Sequence, residues 1–308
     1  MNKYTIRKII TPVNLNGGHK TGIVWAEQLS KIFKAHLVLY NAIRPSGDEG
    51  QLYTTIHGNK INDLLKSTMA RIQELGKKLI HAYKVGYSVE MSASWRNLVN
   101  QIRTEQADLL ITELPPKGQS ISGQLTALMY NISCPALFVR EGAEPAPGKK
   151  ILVAVRMKER LKEILPAVVT WAKAYDSEVI LSAFQPDNIS EKDKLHLGKH
   201  TDEMAQTLIA EGINVEIESA HGFHFGTAIL ERARQTDAGM IIIGIEPENF
   251  FAHLFTKMTG PFFLENANLP VLTVPLLNKN TASTTPDDLS ASRATAYAEM
   301  PFPALDKY

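Results

Sequence analysis

The chain has 308 residues, 44% of them hydrophobic and 21% charged, with 33 Lys plus Arg against 32 Asp plus Glu and a single cysteine. Such a length exceeds one ordinary core, so two domains are expected, and the composition excludes a fibrous, disordered or membrane-spanning chain. The balanced charge, with no Lys/Arg block longer than two residues, argues against nucleic acid as a direct partner. Cys134 alone makes neither an internal disulfide nor a thiolate-rich metal site. The first residues, Met1 to Lys8, hold no signal-peptide core, and no apolar run approaches the ~18 residues of a membrane span. A cytoplasmic address is the expectation.

In chain order, Lys8-Ile9-Ile10-Thr11-Pro12-Val13 reads as a buried strand. An amphipathic helix follows, with Val24, Trp25, Leu29 and Ile32 at helical spacing, and then a second strand, Leu37 to Ala42. A polar-then-helical stretch at 51–84 leads to an alternating strand at Ser88-Val89-Glu90-Met91. A helix at 95–105, a strand at Asp108 to Ile111 and a last strand at Pro135 to Val139 complete the series. The same order then returns. Lys150 to Val155 echoes the first strand, Leu165, Val168, Val169 and Ala172 mark the first helix, and Val179 to Phe184 the second strand. The later parts are 190–211, Val215 to Glu218, a helix at 226–236, Met240 to Ile243 and Pro270 to Val274. Trp25 and Trp171 are both expected in the core, Trp171 opposite Leu29 and not opposite Trp25.

Strands alternating with helices require right-handed crossovers, which give a parallel sheet covered on both faces. The fold class is therefore α/β, two tandem doubly wound domains of five parallel strands each. The boundaries read 1–141 for the first domain, 142–148 for a Gly- and Pro-rich linker, 149–276 for the second and 277–308 for a tail expected to be disordered. The last strands, ending in Phe138-Val139 and Thr273-Val274, suit pairing with each other across a pseudo-twofold axis. That would cover two exposed edges within one chain.

Each half resembles a universal stress protein domain, within the adenine nucleotide alpha hydrolase-like group. The resemblance rests on the openings Lys8-Ile9 to Pro12-Val13 and Lys150-Ile151 to Ala154-Val155, and on the strand Ala35-His36-Leu37-Val38-Leu39. Ala107-Asp108-Leu109-Leu110-Ile111 and the endings Cys134-Pro135-Ala136-Leu137-Phe138-Val139 and Leu269-Pro270-Val271-Leu272-Thr273-Val274 carry the rest. It covers about 1–140 and 149–275 and implies a tandem member whose halves pack as a pseudo-dimer, with a homodimer of the whole chain also allowed. The resemblance further implies a nucleotide site at the carboxyl ends of the strands. Nucleotide-binding members of that family have an Asp closing the first strand and a Gly-x2-Gly-x9-Gly-Ser/Thr segment after the fourth.

Neither half keeps that pattern. In the first, Asn14 stands at the Asp position, Glu113 at the first glycine and Ser122-Gly123 at the last pair, with Pro115 and Pro116 between them. A carboxylate repels phosphate and prolines offer no amide, so this site reads as lost. In the second half Arg156 replaces the Asp, Gly244 survives, Pro247 takes the second glycine, and Lys257-Met258 fall where Gly-Ser belongs, with Gly260 displaced by three residues. This site reads as degraded. Its candidate cleft is Ala154, Arg156, Ala183, Gly222, Gly244, Lys257 and Gly260, and the second half is where a surviving ligand would be sought. Phe250, Phe251, Phe255, Phe262 and Phe263 crowd the same segment, which points to a core or interface and so to a changed or closed site.

His221 and His224, with Glu246 and Glu248 on the neighbouring loop, fall short of a defined metal site and read as loop residues. Cys134 reads as a packed small hydrophobe, and no nucleophile elbow, zinc-protease motif or phosphate loop occurs. The expected function is a non-catalytic binding or scaffold module in stress response, with no cofactor. The alternatives are a sensor of ATP or AMP through the second half and a carrier of a lipid or other apolar ligand. The sequence names no protein partner.

Overall fold

Runs of Ile, Leu and Val without a polar break favour strands buried on both faces, and these runs seed the sheet. The computed structural model describes residues 4–15, 20–43, 58–91, 94–117, 119, 121–145, 148–156, 159–246 and 259–276. The first half contains β1 (Lys8–Pro12), α1 (Thr21–Phe33), β2 (His36–Ile43), α2 (Gly58–Lys77), β3 (Lys84–Met91), α3 (Trp95–Thr104), β4 (Leu109–Glu113), α4 (Gly123–Asn131) and β5 (Ala136–Val139). The second half contains β6 (Lys150–Val155), a 3-10 segment (Glu159–Ile164), α5 (Leu165–Tyr175), β7 (Glu178–Gln185), α6 (Glu191–Ala210), β8 (Val215–His221), α7 (Phe225–Gln235), β9 (Met240–Ile245), α8 (Thr259–Asn266) and β10 (Val271–Pro275). The tail at 277–308 and linker residues 146–147 lie outside the described residues. Among the described residues no helix is long and apolar enough to cross a membrane.

Local chemistry sets the helix ends. Serine side chains cap three helix starts: Ser94 Oγ accepts from the Arg96 amide, Ser122 Oγ from Leu125 and Ser190 Oγ from Asp193. At matching places in the repeat, α1 and α5 end on left-handed residues, Lys34 at φ 52° and Asp176 at φ 51°. The Ala35 amide then bonds back to Ser30 and the Ser177 amide to Ala172, closing both helices in the same way.

The strands form one sheet in the order β3-β2-β1-β4-β5-β10-β9-β6-β7-β8. Pairing is parallel within each half and antiparallel only between β5 and β10, where Val271 faces Phe138, Leu272 faces Leu137 and Thr273 faces Ala136. The expected edge-to-edge pairing is therefore present, and the two halves are a pseudo-dimer joined through a continuous backbone ladder. The third strand begins at Lys84, earlier than the expected Ser88, because β3 pairs with β2 over its full length, from His36–Lys84 to Ile43–Met91.

A hydrophobic layer lies on each face, and each layer runs across both halves. One contains Trp25 and Leu29 of α1, Ile72 of α2, Val168 and Trp171 of α5 and Leu208 of α6; the other contains Leu98 of α3, Leu128 of α4, Ile229 of α7 and Phe263 of α8. Trp25 and Trp171 are both fully buried, as expected. They do different work. The Trp25 indole donates to Ala143 O at 3.1 Å and so ties α1 to the linker, whereas Trp171 meets the Phe33 ring edge-on at 6.0 Å, joining α5 to α1 across the halves.

Arg140, directly after β5, is buried and makes a second tie. Its Nη2 donates to Leu264 O at 2.6 Å and Glu265 O at 3.3 Å, its Nε to Ala267 O at 3.3 Å and its Nη1 to Pro115 O. A cation thus sits on the last carbonyls of α8, where helix ends leave unsatisfied acceptors and negative dipole. Replacing Arg140 by Met should lower stability by about 3 kcal/mol, since hydrogen bonds from a charged donor are lost from buried carbonyls. Urea unfolding of the two proteins measures it. Cys134 is buried, and burial pushes its thiol up to about 12. Iodoacetamide at pH 8 should therefore leave the folded protein unmodified and alkylate Cys134 only after denaturant is added, as read by intact mass.

Candidate functional site

In a doubly wound sheet the space for a ligand lies beyond the carboxyl ends of the strands, near the switch in strand order. In the first half that switch falls between β1 and its neighbours β2 and β4, and there an open cleft of about 720 Å³ is found. This is within the range of small-molecule sites, roughly 300 to 1,000 Å³. Val13, Asn14 and Leu15 after β1 form one wall, and Asn41, Ala42 and Ile43 ending β2 form the next. Thr68 and Arg71 enter from α2, Ser94, Trp95 and Leu98 from α3, Thr112 from β4, and Ser122, Gln124, Leu125 and Leu128 from α4.

Several of these groups are fixed by bonds to their neighbours. Asn41 Nδ2 donates to Val13 O at 2.8 Å, which holds the end of β2 against the end of β1. The Arg71 guanidinium donates to Leu15 O, anchoring α2 over the same rim. Tyr40 donates to Glu90 Oε2 at 3.0 Å, and burial together with that bond raises its pKa, so the phenol remains a donor at neutral pH. Trp95 opens α3, and the Arg96 guanidinium lies 5.4 Å from its ring centroid.

The corresponding place in the second half holds a cluster of aromatic rings. Phe184 is the seventh residue of β7, as Ala42 is of β2, and Phe225 opens α7 as Trp95 opens α3. Phe184 and Phe225 meet edge to face at 5.3 Å, and Phe225 and Phe263 at 5.8 Å, with Phe262 against Phe263 at 6.4 Å. Arg156, at the position of Asn14, lies over the Phe225 ring at 5.3 Å. A Cβ on Gly226 would approach the Phe262 ring to 2.3 Å, so that ring rests directly on the first turn of α7. Of the phenylalanines expected in this segment, Phe262 and Phe263 belong to the ring cluster; Phe250, Phe251 and Phe255 lie outside the described residues.

An open cleft is thus present in the first half, whereas in the second half residues 247–258, which follow β9, lie outside the described residues. Of the second-half candidates, Ala154 and Ala183 are buried in β6 and β7, and Gly244 is buried in β9 opposite Val274. Gly222 follows β8 at φ 147°. Lys257 lies outside the described residues. Gly260 is buried where a Cβ would come within 2.3 Å of the Met129 side chain, so α8 approaches α4 of the first half at this point. Glu248 lies outside the described residues, and among those described no three His, Cys, Asp or Glu side chains converge on a metal-sized space.

The residues after β4 explain what the first-half cleft can hold. Glu113 Oε2 accepts from the Gly22 amide at 3.1 Å, so a carboxylate already occupies the N-terminus of α1. The Leu114 amide bonds to Val139 O and the Gln119 amide to Pro116 O, while Ser122 Oγ takes the Leu125 amide. Trp95 and Ala42 were not singled out from the sequence. The signal was nonetheless in the repeat, where Ala42 pairs with Phe184.

No protein-family model and no curated protein matches the sequence. Among solved structures, a universal stress protein from Archaeoglobus fulgidus DSM 4304 is similar with a TM-score of 0.68 and 13% identity, over 89% of this chain and 97% of that one. A functionally unknown protein from Pseudomonas aeruginosa PAO1 is similar with a TM-score of 0.62 and 17% identity, over 96% and 98%. The ten-stranded order, the antiparallel seam and this coverage agree: the protein has the universal stress protein fold, built twice within one chain.

Proposed function

We propose that this protein is a non-catalytic small-molecule binding module of the universal stress protein type, acting in stress response in the cytoplasm without a bound cofactor. One ligand site per chain lies in the cleft of the first half, and the second half serves as scaffold. The observation that carries this reading is the contrast between an open cleft of about 720 Å³ around Ala42 and Trp95 and a ring cluster of Phe184, Phe225 and Phe263 at the equivalent place. The first half offers a concave surface at the place where the second packs rings against one another. The polar groups that line it are mostly neutral hydroxyls and amides, which suit recognition and orientation of a ligand.

The same contrast supplies the test. A compound library is screened by thermal shift against the wild type and against Ala42→Phe, which imitates Phe184 and fills the cleft. Ligands of this site should raise the wild-type stability, by about 2.7 kcal/mol at 100 times Kd, and leave the variant unshifted. Compounds that stabilise both proteins equally, with none selective for the wild type, would overturn the reading. The converse change, Phe184→Ala, should destabilise the second half by about 1 to 3 kcal/mol, because a partly buried ring is removed from its contact with Phe225. Guanidinium unfolding measures that loss.

A further inference from the structure

Resting on the first-half cleft as the ligand site, we propose that its ligand is a flat aromatic molecule that carries no phosphate group. Two independent features point there. The first is the wall itself: Trp95 presents an indole to the cleft, and Val13, Leu98 and Leu128 give it an apolar floor, which favours a planar body that stacks and is desolvated. The neutral groups of Asn14, Thr68 and Gln124 at its margin serve hydrogen bonds to ring substituents.

The second feature is the fate of the amides that would cradle a phosphate. Helix N-termini and glycine-rich turns bind phosphate through unengaged N–H groups and positive dipole. Here the Leu125 amide in the first turn of α4, where that helix lines the cleft, is held by Ser122, and Pro115 and Pro116 in the segment leading to it have no N–H. Arg71, the cation of the lining, is already held on Leu15 O. Phosphate is therefore disfavoured by the lost donors, whereas a hydroxyl or single carboxylate makes no such demand.

Isothermal titration of the full chain with a matched set, 1-naphthol, 1-naphthoate and 1-naphthyl phosphate, tests this directly. The phenol or the carboxylate should bind saturably and at least tenfold more tightly than the phosphate ester. Trp95→Ala should weaken that binding tenfold or more with circular dichroism unchanged. Should Trp95→Ala fail to fold, Ala42→Phe replaces it and should abolish the heat. Equal or tighter binding of the phosphate ester, lost in Ala42→Phe, would overturn the ligand class while leaving the cleft as the site. Absence of binding by all three probes would also overturn the class, and the library screen then decides separately whether the cleft binds anything.

Discussion

Everything in this molecule is arranged by the antiparallel meeting of β5 and β10. An open parallel sheet ends in a strand with unpaired N–H and C=O groups, a liability that the chain removes by setting its two last strands against each other. Because Phe138, Leu137 and Ala136 face Val271, Leu272 and Thr273, the ladder continues without interruption from one half to the other. The helices on both faces must then pack across the same line. Trp171 on Phe33 does so on one face, and Gly260 against Met129 on the other. Arg140 completes the joint, holding the last carbonyls of α8 from the end of β5. The halves consequently share two cores and are not separate bodies on a tether.

Within that shared frame the two clefts are free to differ, and the difference reduces to a few side chains. Where the first half has Ala42, Trp95 and Leu128, the second has Phe184, Phe225 and Phe263. Exchanging one methyl for a benzyl at the end of β7 provides the ring on which Phe225 closes, and Phe225 in turn receives Arg156. Edge-to-face pairs contribute roughly 0.5 to 1.5 kcal/mol each beyond the area they bury, so the filled cleft adds stability to its half. The open cleft forgoes that gain. Such a loss is the usual signature of a surface retained for binding.

The repeat, the strand runs and the seam were legible in the sequence because each is a local or end-of-element property. Ile9-Ile10, Leu109-Leu110-Ile111 and Ile241-Ile242-Ile243 are buried on both faces, so their apolarity is continuous and needs no knowledge of the partner strand. The loss of the glycine pattern was legible for the same reason. Which cleft is open was not, because Ala42 and Trp95 meet only after β2 and α3 are brought together by the crossover. Nor was the contact of Gly260 with Met129 legible, since it joins helices of the two halves. Arg156, which replaces the Asp of the family pattern, is found over a ring that the protein supplies itself.

The antiparallel seam has one more consequence, which bears on why a duplicated unit can keep a single site. All strands of one half run opposite to those of the other, so the carboxyl ends of β1, β2 and β4 open at one edge of the sheet and those of β6, β7 and β9 at the opposite edge. The seam contacts, Trp171 on Phe33, Gly260 on Met129 and Arg140 on α8, involve neither Ala42 nor Phe184. Substitutions that fill one cleft thus leave the ladder, the other cleft and the register of every strand untouched. Effects at such distant, unshared sites are additive. The second half can therefore pack rings at its strand ends without cost to the first, while still supplying β10, the strand on which the edge of the first half depends.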